Sequence, residues 1–321
     1  MNRSQFLWIL AGLVLTGCSP TYRSDKIVED VKKISRTEYG VDADVKLVGK
    51  TLTARVLIDN LMSVLLSSEE GEGKKAWDLM TVLSRVCLST DAPVDFFVVV
   101  AADKQDPNNR FVFIRYVDDV KRVMLDDISR NEFFDGTLVE LKIQGKTYFI
   151  DPAELDFLKV LLLALGSEKE GAGVAPPEAW AEDVDFPAFL ARAAAQRLKR
   201  VLSEKGRVSD HFVVRDVSGQ YETSPGRFLF QLDLIRKPSP EEAVKPDRLL
   251  DDSGTIGSMV RALKVSFGNI TRKPPVALDK DILPFSAGEM AKFLKRYDFK
   301  DFTSVEVDEV NSGRSLTMPF H

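Results

Sequence analysis

The sequence predicts an α+β fold: two domains of related pattern, each with antiparallel hairpins packed against helices. Three observations carry this. Segments with apolar residues at helical spacing alternate with segments of two-residue alternation. Residues 166–178, rich in Gly, Ser, Glu and Ala and containing Pro176-Pro177, lack apolar periodicity and halve the chain. A chain of 321 residues with 44% hydrophobic and 29% charged side chains is long and apolar enough for two cores.

The chain opens on Arg3, then the apolar run Phe6 to Leu15, then Leu15-Thr16-Gly17-Cys18. A basic start, a short apolar stretch and small residues before a cleavage point describe an export signal, and ten helical residues are too few to span a bilayer. The Leu-Thr-Gly-Cys ending resembles the lipobox of bacterial lipoproteins. That resemblance implies cleavage between Gly17 and Cys18, removal of 1–17, and covalent diacylglycerol and N-acyl lipid on Cys18; no other cofactor is expected. Ser19 rather than Asp after the cysteine implies the outer membrane, facing the periplasm, over the inner one.

Residues 18–23 form a short tether to domain 1, 24–165. A helix from Ser24 to Thr37 carries the stripe Ile27, Val31 and Ile34. Ala43 to Val48 and Leu52 to Asp59 alternate about Gly49-Lys50 as a hairpin. Lys74 to Ser89 is the strongest amphipathic helix, with Leu79, Leu83, Val86 and Cys87 on one face. Asp95 to Ala102 and Arg110 to Tyr116 form a second hairpin about the polar turn Asp103 to Asn109. Val117 to Ile128 reads as a helix, Leu138 to Ile143 and Thr147 to Ile150 as a third hairpin turning at Gly145. Asp151 to Leu165, opened by Asp151-Pro152 and Glu154, reads as a last helix.

Domain 2, 179–321, opens with a helix from Phe186 to Glu204 and alternating segments His211 to Val217 and Arg227 to Ile235. This recurrence suggests a duplication. A second resemblance aligns 118–134 with 287–302, each followed by a β-rich segment. Lys264 to Leu278 supplies no clean counterpart for the hairpin 95–116, and Met259 to Phe267 fits either a helix or a strand.

Few residues suggest chemistry. The two histidines, His211 and His321, have no companions at metal-ligand or triad spacing. With Cys18 reserved for lipid, Cys87 has no disulfide partner, and its helical position reads as core packing. Asp118-Asp119, Asp126-Asp127 and Asp251-Asp252 read as solvated acids or helix starts. Asp103 to Asn109 lacks the glycine and terminal glutamate of a calcium loop, and Gly254 to Ser258 lacks the lysine of a phosphate loop. Arg192, Arg197, Lys199 and Arg200 are the weaker candidates for contact with an anion or partner. A net charge of -5 argues against nucleic acid.

The expected function is therefore that of a lipid-anchored cell-envelope protein, an interaction or assembly module rather than an enzyme. Its expected partners are the membrane and another envelope protein or a glycan. The alternative is an envelope ligand-binding or hydrolytic protein with its site in the cleft between the domains.

Overall fold

The computed structural model describes residues 21–59, 61, 71–143, 146–150, 179–204, 208–237 and 282–320. The expectations placed on 1–20, the turn at Gly145, the helix 151–165, the linker 166–178, residues 251–278 and His321 lie outside the described residues. The chain forms two compact units, 1–189 and 190–321.

In the first unit, α1 (Ile27–Tyr39) precedes β1 (Asp44–Val48) and β2 (Thr51–Ile58), which pair antiparallel about Gly49-Lys50. Gly49 has φ +55°, a conformation that costs a residue with a β-carbon about 1–2 kcal/mol. Helix α2 (Glu72–Leu88) then carries the chain back to the end where β2 begins, so β3 (Phe96–Asp103) lies parallel to β2, Thr51 opposite Phe96. A parallel pair needs such a crossover. β4 (Arg110–Tyr116) returns antiparallel to β3. After α3 (Val117–Met124) and α4 (Arg130–Asp135), β5 (Thr137–Ile143) and β6 (Lys146–Ile150) complete a six-stranded sheet in order 1-2-3-4-5-6.

The amphipathic pattern predicts the buried face. Ile27, Val31 and Ile34 of α1 and Leu79, Leu83 and Val86 of α2 pack with Leu52, Ala54, Val56, Phe97, Val99 and Phe111 in one core. Each fully buried side chain of this size contributes about 1.5–3 kcal/mol. β3 is buried on both faces, and Phe96, on the face away from α1 and α2, meets Phe189 at 4.9 Å and Tyr116 at 5.3 Å between ring centres. This explains its unbroken run Phe-Phe-Val-Val-Val-Ala-Ala.

The expected helix Val117 to Ile128 is shorter than its pattern, and a second helix, not expected, follows beyond it. The stretch Val117 to Ile128 breaks after Met124, where Asp126 takes φ +59°. A new helix starts at Ser129, whose hydroxyl accepts from the Glu132 amide while the Glu132 carboxylate accepts from the Ser129 amide. This capping box sets the start of α4, one residue beyond the stretch whose apolar spacing had predicted a helix.

In the second unit, α5 (Phe186–Ser203), whose first residues belong to the first unit, leads to the hairpin β7 (Phe212–Glu222) and β8 (Arg227–Arg236). α6 (Leu283–Lys295) precedes β9 (Ser304–Glu309), parallel to β8, and β10 (Arg314–Pro319), antiparallel to β9. The sheet order is 10-9-8-7. Gly219 admits α5 against β7: a β-carbon there would stand 2.3 Å from the Ala191 carbonyl oxygen.

The expected α+β architecture is present, and both sheets contain one parallel pair between two hairpins. Among the described residues, the order α1-β1-β2-α2-β3-β4 recurs as α5-β7-β8-α6-β9-β10, with antiparallel, parallel and antiparallel pairing in both. The counterpart of 95–116 is thus 304–319, and α6 corresponds to α2. The alignment of 118–134 with 287–302 is corrected accordingly: it is displaced by one helix and two strands.

Candidate functional site

Two ends of the first sheet are chemically distinct. At the end where β2 and β3 begin, the entering chain is fastened. Tyr22 bridges Thr90 in parallel, its amide donating to the Ser89 carbonyl at 3.2 Å and its carbonyl accepting from the Asp91 amide at 3.4 Å. Arg85 donates to the Tyr22 hydroxyl at 2.9 Å and forks onto both carboxylate oxygens of Glu38, at 2.7 and 3.1 Å. These bonds hold the Arg85 pKa above its ordinary value, and the hydrogen bond from Arg85 holds Glu38 below its own. The Ser24 amide donates to Asp91 at 2.6 Å.

At the opposite end, β1 stops pairing at Asp44 opposite Arg55, short of Ile58. A cleft of about 470 Å³ opens there, lined by residues 40–44 and 55–57 with Lys75 and Lys104. Gly40, left-handed at φ 67°, closes α1 and turns the chain into this wall. Its charges are matched locally: Lys104 to Asp59 at 2.7 Å, Lys75 to Glu72 at 2.6 Å and Arg55 to Asp44 at 2.6 Å. Hydrogen bonding between Lys104 and Asp59 raises the first pKa and lowers the second, so both are held charged. Groups so held recognise charge and hydrogen-bonding partners; they are not poised to exchange protons near neutrality.

Beside the cleft, Trp180 is flanked by cations, with the Arg55 guanidinium 4.6 Å and the Lys46 ammonium 4.7 Å from its ring centre. Three residues on, Asp183 grips the β1–β2 turn, accepting from the Lys50 amide at 3.0 Å and the Thr51 hydroxyl at 2.8 Å. The Thr51 oxygen in turn accepts from the Val184 amide at 2.9 Å. Residues 179–189, expected to open domain 2, thus pack on the first sheet. Nothing in the sequence marks Tyr22, Trp180 or Asp183, because their partners lie far away along the chain.

The residues singled out by sequence fall as follows. Gly17 and Cys18 lie outside the described residues. Arg192 is exposed, Arg197 lies 3.6 Å from Glu289, and Lys199 lies 3.0 Å from Asp216. Burial lowers the Arg200 pKa, with Glu204 opposing it. At about 100° per residue, Arg197 points about 140° away from Arg192, so the four cations do not form one patch. Cys87 is buried, and burial pushes its thiol up to about 12. Asp103 closes its polar turn by accepting from the Gln105 amide at 2.8 Å. Asp118 and Asp119 both stand in the first turn of α3, as the helix-start reading expects; Asp118 is exposed, whereas Asp119 is buried and lies 3.3 Å from Arg122. Among the described residues, no three His, Cys, Asp or Glu side chains converge as metal ligands, and no helix is long and apolar enough to cross a membrane.

No family model, curated protein or solved structure matches the chain.

Proposed function

We propose that this is a lipid-anchored protein of the bacterial envelope, held at the outer membrane through Cys18 and facing the periplasm, and that it works as a non-enzymatic interaction or assembly module. The observation that carries the reading is the fastening of Tyr22, four residues after the lipobox cysteine. Four residues of extended chain reach at most about 14 Å, so lipids on Cys18 would hold the entry end of the first unit at the bilayer. The cleft bounded by Asp44, Arg55, Lys75 and Lys104 lies at the other end of β2, about 25 Å away, turned toward the compartment. Its local ion pairs and the stretch of β2 from Val56 to Ile58, which β1 does not pair, suit an extended polypeptide or a glycan strand.

The anchor is tested by Cys18→Ser, which should remove the acyl mass and release the protein from membranes; retention in the membrane fraction refutes it. The module is tested by photo-crosslinking in cells from Leu57. Recovery of one envelope partner supports the reading. A chemical turnover that survives purification and is lost on substitution of ionisable residues overturns it.

A further inference from the structure

The connection from β4 to β5 leaves the sheet at Tyr116, opposite Phe96, and returns at Thr137, opposite Arg115. The Val117 amide donates to the Asp95 carbonyl at 2.8 Å, so residues 117–136 hang from the end at which Tyr22 enters. Val117, Val120 and Ile128 turn inward and are buried. Met124 and Leu125 turn outward with 68% and 71% exposure, the highest values for large apolar side chains among the described residues. The left-handed Asp126 makes them the tip of a tight turn, and the exposed Asp126, Asp127 and Arg130 follow. Among the described residues nothing covers this adjacent apolar pair, and it shares an end with the tether.

We propose that Met124 and Leu125 dock into the boundary between headgroups and acyl chains of the bilayer that holds the Cys18 lipids. The entry end of the first unit thereby gains a second, reversible membrane contact. This rests on the anchoring proposed above. The occupant follows from the tether: with about 14 Å of chain between Cys18 and Tyr22, the surface beside this end is lipid before it is anything else. Penetration of about 5–10 Å suffices for interfacial side chains.

The test uses acylated protein carrying Leu125→Cys, labelled with an environment-sensitive fluorophore and reconstituted into phosphatidylethanolamine and phosphatidylglycerol vesicles containing brominated lipid. Gln105→Cys, at the opposite end of the sheet, is the reference. Quenching and a blue shift at 125 but not at 105 are expected; emission at 125 equal to that in buffer overturns the proposal. Protection of the 125 label without vesicles, together with a doubled mass, makes the patch a contact between copies and also overturns it. Intact mass of the same sample reads acylation separately: a Cys18 without lipid sinks the anchoring alone. In that event the labelled protein is titrated with vesicles, quenching supporting the docking and its absence refuting it. In protein without acyl chains, Met124→Glu with Leu125→Glu weakens partitioning onto vesicles about tenfold, and unchanged partitioning counts against the contact.

Discussion

Asp183 and Gly49 define each other: a β-carbon on Gly49 would stand 2.0 Å from the Asp183 carboxylate. The glycine is required twice, for its positive φ and for the room it leaves the acid. Asp183→Ala removes the acceptor of the Lys50 amide and costs about 1 kcal/mol of first-unit stability. Gly49→Ala costs more, because it adds overlap to backbone strain. In the double variant the overlap is gone, so the loss is smaller than the sum; additive denaturation midpoints would show that the two residues do not meet.

Gly219 has the corresponding role in the second unit, where α5 crosses β7 at Ala191. The obstacle is a main-chain carbonyl that no rotamer change can clear. Gly219→Ala is expected to cost about 1–3 kcal/mol or more, and to speed proteolysis within 190–321. Unchanged melting and cleavage would refute the tight crossing.

Glu309 makes the second unit sensitive to acid. Its side chain lies on the core face of β9, and burial opposes its charge. Hydrogen bonds from the Ser312 hydroxyl and from the main chain of Ser312, Asn311 and Leu234 outweigh burial, leaving the pKa below its ordinary 4.5. A carboxylate with a lowered folded pKa contributes stability that is complete above the unfolded value and is lost as pH falls through the folded one. Wild type should therefore lose stability more steeply than Glu309→Gln as pH drops below 4.5, and parallel melting curves would contradict this.

Cys87 should be silent toward thiol reagents in the folded protein, because a thiol with pKa about 12 and almost no exposure offers neither thiolate nor access. Modification should follow unfolding. Labelling in native buffer at the rate of an exposed cysteine would mean that α2 opens locally.

What the sequence made legible was local. The stripes of α1 and α2 repeat within a few residues and name their buried faces, while β1 to β4 are marked by short runs of strand-forming residues, buried on both faces in β3. β10 escaped notice because it is an exposed edge ending in Pro319, where burial does not impose alternation. The parallel pairs escaped because they join strands separated by a helix, and without them the recurrence of element order could be sensed but not registered. The site residues were harder still. Trp180 and Asp183 sit in an aperiodic segment and act on residues more than a hundred positions earlier, while Arg192 to Arg200 drew attention by type and are dispersed around one helix.

The fastening of Tyr22 also sets how the molecule responds to load. Any tension entering through residue 21 meets two main-chain hydrogen bonds, to Ser89 and Asp91, and the side-chain bonds from Arg85 to Tyr22 and from Ser24 to Asp91 before it reaches the sheet. A bridge that short peels open one bond at a time, whereas the ladder between β2 and β3 has eight paired positions to share a pull. Under traction at residue 21 the N-terminal strap therefore parts first, while the sheet stays folded.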